Sequence, residues 1–220
     1  GRSVISLDFK SLGARDSKPI MGIAVSPSMI LTSSAAVQGI RPNITINGDP
    51  ADISRAFDDQ KLALITYPRG GLVPATLAKS LGQEGRNIHF VTRNERGPKV
   101  VDGTIVNLVS ASTAKGGFFD GSIDRDLIIS DQAVVFNNCG ELIGFFDKSI
   151  RSKVAMVRGL DDLTIVATTS GQHKLAAEIC PSELEKQQMR DEQAKQEAEA
   201  QAAQAAKELE EAEAKARAEQ

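Results

Sequence analysis

Charge of one sign is what this sequence has little of. Its 26 Lys and Arg stand against 29 Asp and Glu, a formal net charge of −3. That balance excludes the strongly basic character of a nucleic-acid binder and any strong steering of acidic substrates. Long hydrophobic runs are missing as well: no stretch of about 18 apolar residues exists, so nothing in these residues reads as a transmembrane helix. Histidine and cysteine occur twice each, at His89, His173, Cys139 and Cys180. The histidines fall in no H-x-x-x-H spacing and the cysteines are far apart, so a zinc site has no support. Gly70-Gly71 and Gly116-Gly117 are isolated pairs that read as turns, not as a loop cradling phosphate. No cofactor or metal is expected.

Proline and glycine stop early. All 8 Pro lie at or before Pro181, and the last Gly is Gly171. Residues 182–220 are almost entirely Glu, Gln, Ala, Lys and Arg. The chain therefore divides into a globular domain, 1–180, and a helical tail, 181–220. Ser182 suits an N-cap, and Glu183 and Glu185 suit the first turn of a helix. Unbroken to Gln220, that helix reaches about 57 Å at 1.5 Å per residue. A heptad register runs through Leu184, Ala198, Ala202, Ala205, Leu209, Ala212 and Ala216. It puts Gln188, Asp191 and Lys195 at core positions, which makes a poor seam in the first half. Two readings stay open: a solvated, charge-laced spacer, or a weak coiled coil or stalk that self-associates through 182–220.

The first part reads as many short strands. Val4–Phe9 alternates apolar and polar residues, the pattern of a half-buried strand. Ile20–Val25 is a second run, stopped by Ser26-Pro27-Ser28. Met29–Thr32 resumes it, and Ser33–Val37 reads as a short helical turn. Asn43–Asn47 alternates up to a Gly48-Asp49-Pro50 turn, and Ile53–Phe57 and Leu62–Ile65 follow. Further strand-like pieces are Asn87–Thr92, Leu127–Ser130, Val154–Val157 and Leu163–Ala167, with a Ser/Gly-rich loop over Ser110–Asp120. Many short strands between Gly, Pro and Asn turns predict an all-β sandwich or barrel.

The most informative stretch is Ile128–Phe146, I-I-S-D-Q-A-V-V-F-N-N-C-G-E-L-I-G-F-F. Apolar Val134–Phe136, turn-like Asn137–Gly140 and a second run over Glu141–Phe146 outline a hairpin. The block resembles the nucleophile block of the trypsin/HtrA-type serine protease family, G-x-S-G-G-P-L/V-F-N-x-x-G-E-V/L-I/V-G. Met21–Val37 resembles that family's G-S/T-G-F/V-V-V-S-P-x-G-x-I-L-T-x-x-H-V-V, Asp58–Ile65 its D-x-x-x-D-L-A-L-L/I-K, Thr76–Leu81 with Asn87–Thr92 its G-x-x-V-x-x-I-G segment, and Val100–Leu108 the V-x-x-G-x-V/I-x-x-L strand that follows. The likeness covers residues 4–180 in patches, strongest at 21–37 and 128–146. It implies an all-β, chymotrypsin-like double β-barrel with a short C-terminal helix, which Ser170–Ile179 is expected to supply.

The same likeness implies that the chemistry is gone. A Ser-His-Asp hydrolase needs a nucleophile, a base within hydrogen-bond reach, an acid that fixes the base's tautomer, and N–H donors at the oxyanion. The base position falls on Ala35, the acid position on Lys61 and the nucleophile position on Asp131. Asp58 and Asp59 lie just upstream of Lys61, but a slip to reach them loses the D-L-A-L register. Ile129 stands at the glycine that opens the oxyanion turn, where a β-branched residue resists the backbone angles required. A one-residue shift puts Ser130 at the nucleophile position but supplies neither base nor acid. His89 reads as a surface or barrel-wall residue and His173 as a solvent or helix-start residue.

The resemblance therefore implies a pseudoprotease: a non-catalytic, trypsin-like module that binds a protein or peptide partner or acts as a scaffold. Two alternatives remain. One is a serine hydrolase rearranged around Ser130 with His89, and the other is a folded cap on a structural coiled-coil protein. An even cysteine count with Cys180 at the domain edge suits a disulfide. In the implied fold a C-terminal helix could bring Cys180 back to the hairpin turn at Cys139. That family is mostly extracytoplasmic, so a periplasmic or secreted location goes with the bridge.

Overall fold

The computed structural model describes residues 3–10, 18–37, 43–94, 97–109, 118–123, 132–147, 154–171 and 173–218. Its first six strands close on themselves. They are β1 (Val4–Lys10), β2 (Lys18–Ser26), β3 (Met29–Ser33), β4 (Asn43–Ile46), β5 (Asp49–Phe57) and β6 (Leu62–Thr66), in the order β1-β2-β3-β6-β5-β4. Pairing of Asp8–Lys10 with Asn43–Thr45 shuts the barrel. Period-2 alternation sorts the side chains. Leu7, Ile30, Ile44, Ile46, Ala63 and Ile65 fill the barrel's own core. Ile23, Val25, Leu31, Leu62 and Leu64 point to the opposite face and join a core shared with Val134, Leu142 and Phe145. Burial of each such Leu or Ile stabilises the fold by about 1.5–3 kcal/mol.

A helical turn, α1 (Ser34–Val37), follows β3. The β4–β5 hairpin turns at Asn47-Gly48, with φ 53° and 87°, not at the expected Gly48-Asp49-Pro50. Asn-Gly is the pair whose two positive φ angles match the strand twist. Asp49 and Pro50 already belong to β5, and Pro50 lies before that strand's pairing with β6 begins at Asp52.

The second half is built from β7 (Thr76–Leu77), β8 (Asn87–Asn94), β9 (Gly97–Val109), β10 (Phe118–Ile123), β11 (Gln132–Asn137), β12 (Leu142–Asp147) and β13 (Val154–Arg158). Pairings run β11-β8-β9-β10-β13-β12, and β12 pairs back to β11, so six strands form a second ring. Its core holds Ile88, Phe90, Val101, Ile105, Val135 and Phe146, with Phe90 and Phe146 edge to face at 6.5 Å. On the outside, β7 pairs in parallel with β12, and β14 (Lys174–Leu175) with β7. This is the double barrel that the resemblance implies.

Three local expectations change. Leu163–Ala167 is not a strand: it lies in helix α2 (Leu160–Thr168), which buries Leu163, Val166 and Ala167 at helical spacing and carries Asp161 and Asp162 in its first turn, where the helix dipole favours them. Ser170–Ile179 is not the terminal helix, because Gly171 takes φ 73° and the chain then extends into β14. Within Ser110–Asp120, β10 has begun by Phe118. The expected strand Leu127–Ser130 lies outside the described residues.

Contacts divide the chain into Gly1–Cys180 and Pro181–Gln220. The second unit is helix α3 (Glu183–Ala218). Its start is a capping box: the Ser182 hydroxyl accepts from the Glu185 N–H at 3.2 Å, and the Glu185 carboxylate accepts from the Ser182 N–H at 2.5 Å. Hydrogen bonds from Gln187 to Asp191 and from Gln193 to Glu197, and the ion pair of Lys195 with Glu199, lace the exposed surface at i,i+4 spacing.

Candidate functional site

The block that resembles a nucleophile loop is, in its second half, a turn built by one asparagine. The Asn137 Oδ1 accepts from the backbone N–H groups of Cys139 at 3.0 Å and Glu141 at 2.9 Å. Its Nδ2 donates to the Glu141 carboxylate at 2.8 Å. Gly140 takes φ 75° and donates its N–H to the Asn137 carbonyl at 2.9 Å. F-N-x-x-G-E is thus turn chemistry: a side-chain amide that mimics backbone, a glycine for the left-handed position, and a carboxylate that clamps the amide.

One backbone bond joins the residue before the expected base position to the expected acid position. Ala35 lies in α1, two residues after β3 ends at Ser33, which pairs with Leu62 at the start of β6. Lys61 immediately precedes Leu62, and its carbonyl accepts the Ser34 N–H at 2.9 Å. Lys61 is exposed and left-handed, with φ 54°, and its own N–H reaches the Asp58 carbonyl at 3.3 Å. Asp58 and Asp59 are exposed in the same turn. The remaining expected site residues, Ile129, Ser130 and Asp131, lie outside the described residues.

Beside that segment, β11 is tied to the first barrel. The side-chain oxygen of Gln132, which follows Asp131, accepts the Met21 N–H of β2 at 3.1 Å. The Met21 carbonyl accepts the buried Thr32 hydroxyl of β3 at 2.8 Å, and the Gln132 carbonyl accepts the Thr92 hydroxyl of β8 at 3.1 Å. These bonds link the strand before Ala35 to the strand after residue 131. Sequence reasoning missed Gln132 and Thr32 because their partners are remote in the chain and no local pattern marks them.

His89 does stand on an outward face of β8, as expected, and it has a partner that sequence reasoning missed. The β8–β9 register sets it opposite Asp102, and its Nδ1 lies 2.7 Å from the Asp102 Oδ1. Across β11 it faces Phe136, four residues beyond Gln132. His173 lies apart, just before β14. Among the described residues, no three His, Cys, Asp or Glu side chains are grouped to hold a metal ion, and no helix is long and apolar enough to cross a membrane.

Cys139 and Cys180 form a disulfide across 41 residues, with Cα atoms 5.9 Å apart. The bridge joins the β11–β12 turn to the last residue of the first unit. The Arg86 guanidinium holds the same end through the Cys180 carbonyl at 2.5 Å. On the first barrel, Asp49 receives hydrogen bonds from Arg69 at 2.5 Å and from the Tyr67 hydroxyl at 2.9 Å. The Arg69 bond and then the Tyr67 bond hold the Asp49 carboxyl below its ordinary value. Burial and the Asp49 bond push the Tyr67 hydroxyl up.

No family model and no curated protein matches the sequence. Solved structures do. The active form of the Rv3671c protease from M. tuberculosis is 12% identical, covers 80% of this chain and 84% of its own, and superposes with a TM-score of 0.64. A serine-to-alanine mutant of Rv3671c in an inactive form is 13% identical over 77% of this chain and 87% of its own, at 0.60. The inactive form of that protease is 14% identical over 77% and 89%, at 0.58. At such identities the likeness is one of fold: this chain has the chymotrypsin-like double β-barrel on which that protease is built.

Proposed function

We propose that this protein is a non-catalytic, trypsin-like module whose double barrel binds a protein or peptide partner or serves as a scaffold. One observation carries the reading. The α1 turn at Ala35 and the turn at Lys61 are joined by the Ser34–Lys61 backbone bond, yet the two positions hold neither an imidazole nor a carboxylate. A triad without base and acid has no means to activate a hydroxyl at position 130 or to direct a carboxylate at position 131 toward acyl transfer. Loss of the oxyanion turn at Ile129 and Ser130 belongs to the same proposal. The disulfide supports an extracytoplasmic location. The tail over 182–220 supplies either a spacer or a surface for self-association.

The test is chemical. The full chain is expected to resist a fluorophosphonate probe and to leave a peptide library uncut, while retaining peptides from that library on an affinity column. Labelling at Ser130 would overturn the proposal. Removal of 182–220 separates partner binding by the barrels from binding by the tail, and sedimentation at several concentrations reads self-association.

A hydrolase rearranged around Ser130 and His89 is the competing reading, favoured by the His89–Asp102 pair. The strand register works against it. His89 lies opposite Phe136, and the path from Gln132 to Phe136 alone spans about 13 Å at the usual strand rise.

A further inference from the structure

The two barrels border a partly open cleft of about 510 Å³ beside Phe136 and Asn137 of β11. Its walls come from β1, β2, β8, β9 and β11 and from the turn at Asn138 and Gly140. Most of the surface is apolar, from Val4, Ile5, Met21, Val91, Val100 and Phe136. Val100, the fourth residue of the 13-residue β9, is 60% exposed. Asn137 also lines the cavity, but its amide is occupied by the turn. Among the described lining residues the other polar side chains are Ser6, Asn138 and His89, and Asp102 holds the His89 Nδ1 at 2.7 Å.

That arrangement has a chemical direction. An ionised carboxylate only accepts hydrogen bonds, so Nδ1 carries the ring proton and, in the neutral ring, Nε2 is the acceptor. We propose that this cavity is a binding site for an apolar small molecule headed by one hydrogen-bond donor, such as a hydroxyl. The body of the ligand packs on Val91, Val100, Phe136 and the β1 side, and its donor meets His89. The volume lies within the range of about 300–1,000 Å³ typical of sites for compact organic ligands. Cys139 of the bridge lies in sequence between Asn138 and Gly140, both of which line the site. The inference does not rest on the loss of the triad and holds whether or not the chain is an enzyme.

The experiment titrates the ¹⁵N-labelled 220-residue chain with 4-hexylphenol and with 4-hexylanisole, which has the same body and no donor. Both are expected to shift the amide resonances of Val91, Val100 and Gly140, and the phenol to bind about threefold to tenfold more tightly, the range of one partly exposed hydrogen bond. The phenol alone is expected to move the His89 Nε2 resonance. His89→Phe keeps the apolar walls and is expected to erase the preference for the phenol. Asp102→Asn, at a side chain 81% exposed, replaces an acceptor-only group with an amide that also donates, so the ring tautomer is no longer fixed, and is expected to shrink the preference without touching the core. Equal affinity of the two ligands, shifts confined to other parts of the chain, no shifts at all, or a preference that survives both variants would overturn the proposal.

Discussion

The backbone N–H of Ser34 donates to the carbonyl of Lys61 at 2.9 Å, although the two residues are 27 positions apart. The bond holds α1 against the turn before β6 and requires Lys61 to present its carbonyl from a left-handed conformation, φ 54°. Such a conformation costs a side chain roughly 1–2 kcal/mol that glycine does not incur. Lys61→Gly is therefore expected to raise the unfolding free energy by about 0.5 kcal/mol after the entropy cost of glycine, and Lys61→Val to lower it by about 1–2 kcal/mol. Urea denaturation of the three proteins checks both signs, and a neutral Lys61→Val would contradict the geometry.

Gly22 leaves no room for a side chain. A Cβ there would sit 2.5 Å from the Ile30 Cγ2 and 3.3 Å from the Leu31 carbonyl oxygen. Both neighbours are fully buried in β3, so neither gives way freely. Gly22→Ala is expected to cost about 1–3 kcal/mol by overpacking, read as a lower urea midpoint with an unchanged slope.

Loss of the disulfide falls mainly on the unfolded chain. Closing a loop of 41 residues restricts the denatured ensemble by about 4 kcal/mol in the chain-entropy account. Replacing Cys139 and Cys180 with Ser is expected to remove most of that stability while leaving the far-UV circular dichroism intact. Under non-reducing conditions the native chain should take up no alkylating reagent, and uptake at two thiols would refute the bridge.

Acid should weaken the first barrel through Asp49. The Arg69 and Tyr67 hydrogen bonds place its folded pKa below the unfolded value of about 3.9. The contribution is therefore complete above that value and is lost as pH falls through the folded pKa. Asp49→Asn is expected to flatten the acid limb of stability against pH and to leave the neutral limb little changed, since the pair is exposed and screened. Urea midpoints at pH 7 and pH 3 for both proteins decide the matter, and parallel losses would exclude Asp49 as the cause.

An all-β sandwich or barrel was legible where strands alternate and where turn residues punctuate them, as in Val4–Phe9 and the Asn137–Gly140 hairpin, and the family resemblance narrowed it to a double barrel. It was less legible where tertiary packing decides. Leu163–Ala167 contains Thr, Ile and Val, which favour strands when read alone. The spacing of Leu163, Val166 and Ala167, together with Asp161 and Asp162, is a helical signal that outweighs them. The start of β10 was hidden because Phe118–Asp120 follows a Ser/Gly-rich stretch and is followed by another glycine. A Cβ at Gly121 would stand 2.8 Å from the Phe90 ring, so the glycine is there for a ring 31 residues earlier. The Asn137 turn could be anticipated from F-N-x-x-G-E. The His89–Asp102 pair and the Gln132–Met21 tie depend on strand register and strand neighbours, which no local window contains.

The bridge between Cys139 and Cys180 also sets a load path. The tail leaves the barrels one residue after Cys180, so tension applied along α3 reaches Cys180 first. Without the bridge, that tension would peel away the two-residue β14, which unzips one backbone pair at a time. With it, the load passes covalently into the turn between β11 and β12, strands that are paired to each other and to β8 and β13. Reductant should therefore add an early, low-force step to the extension trace of a chain pulled from its tail.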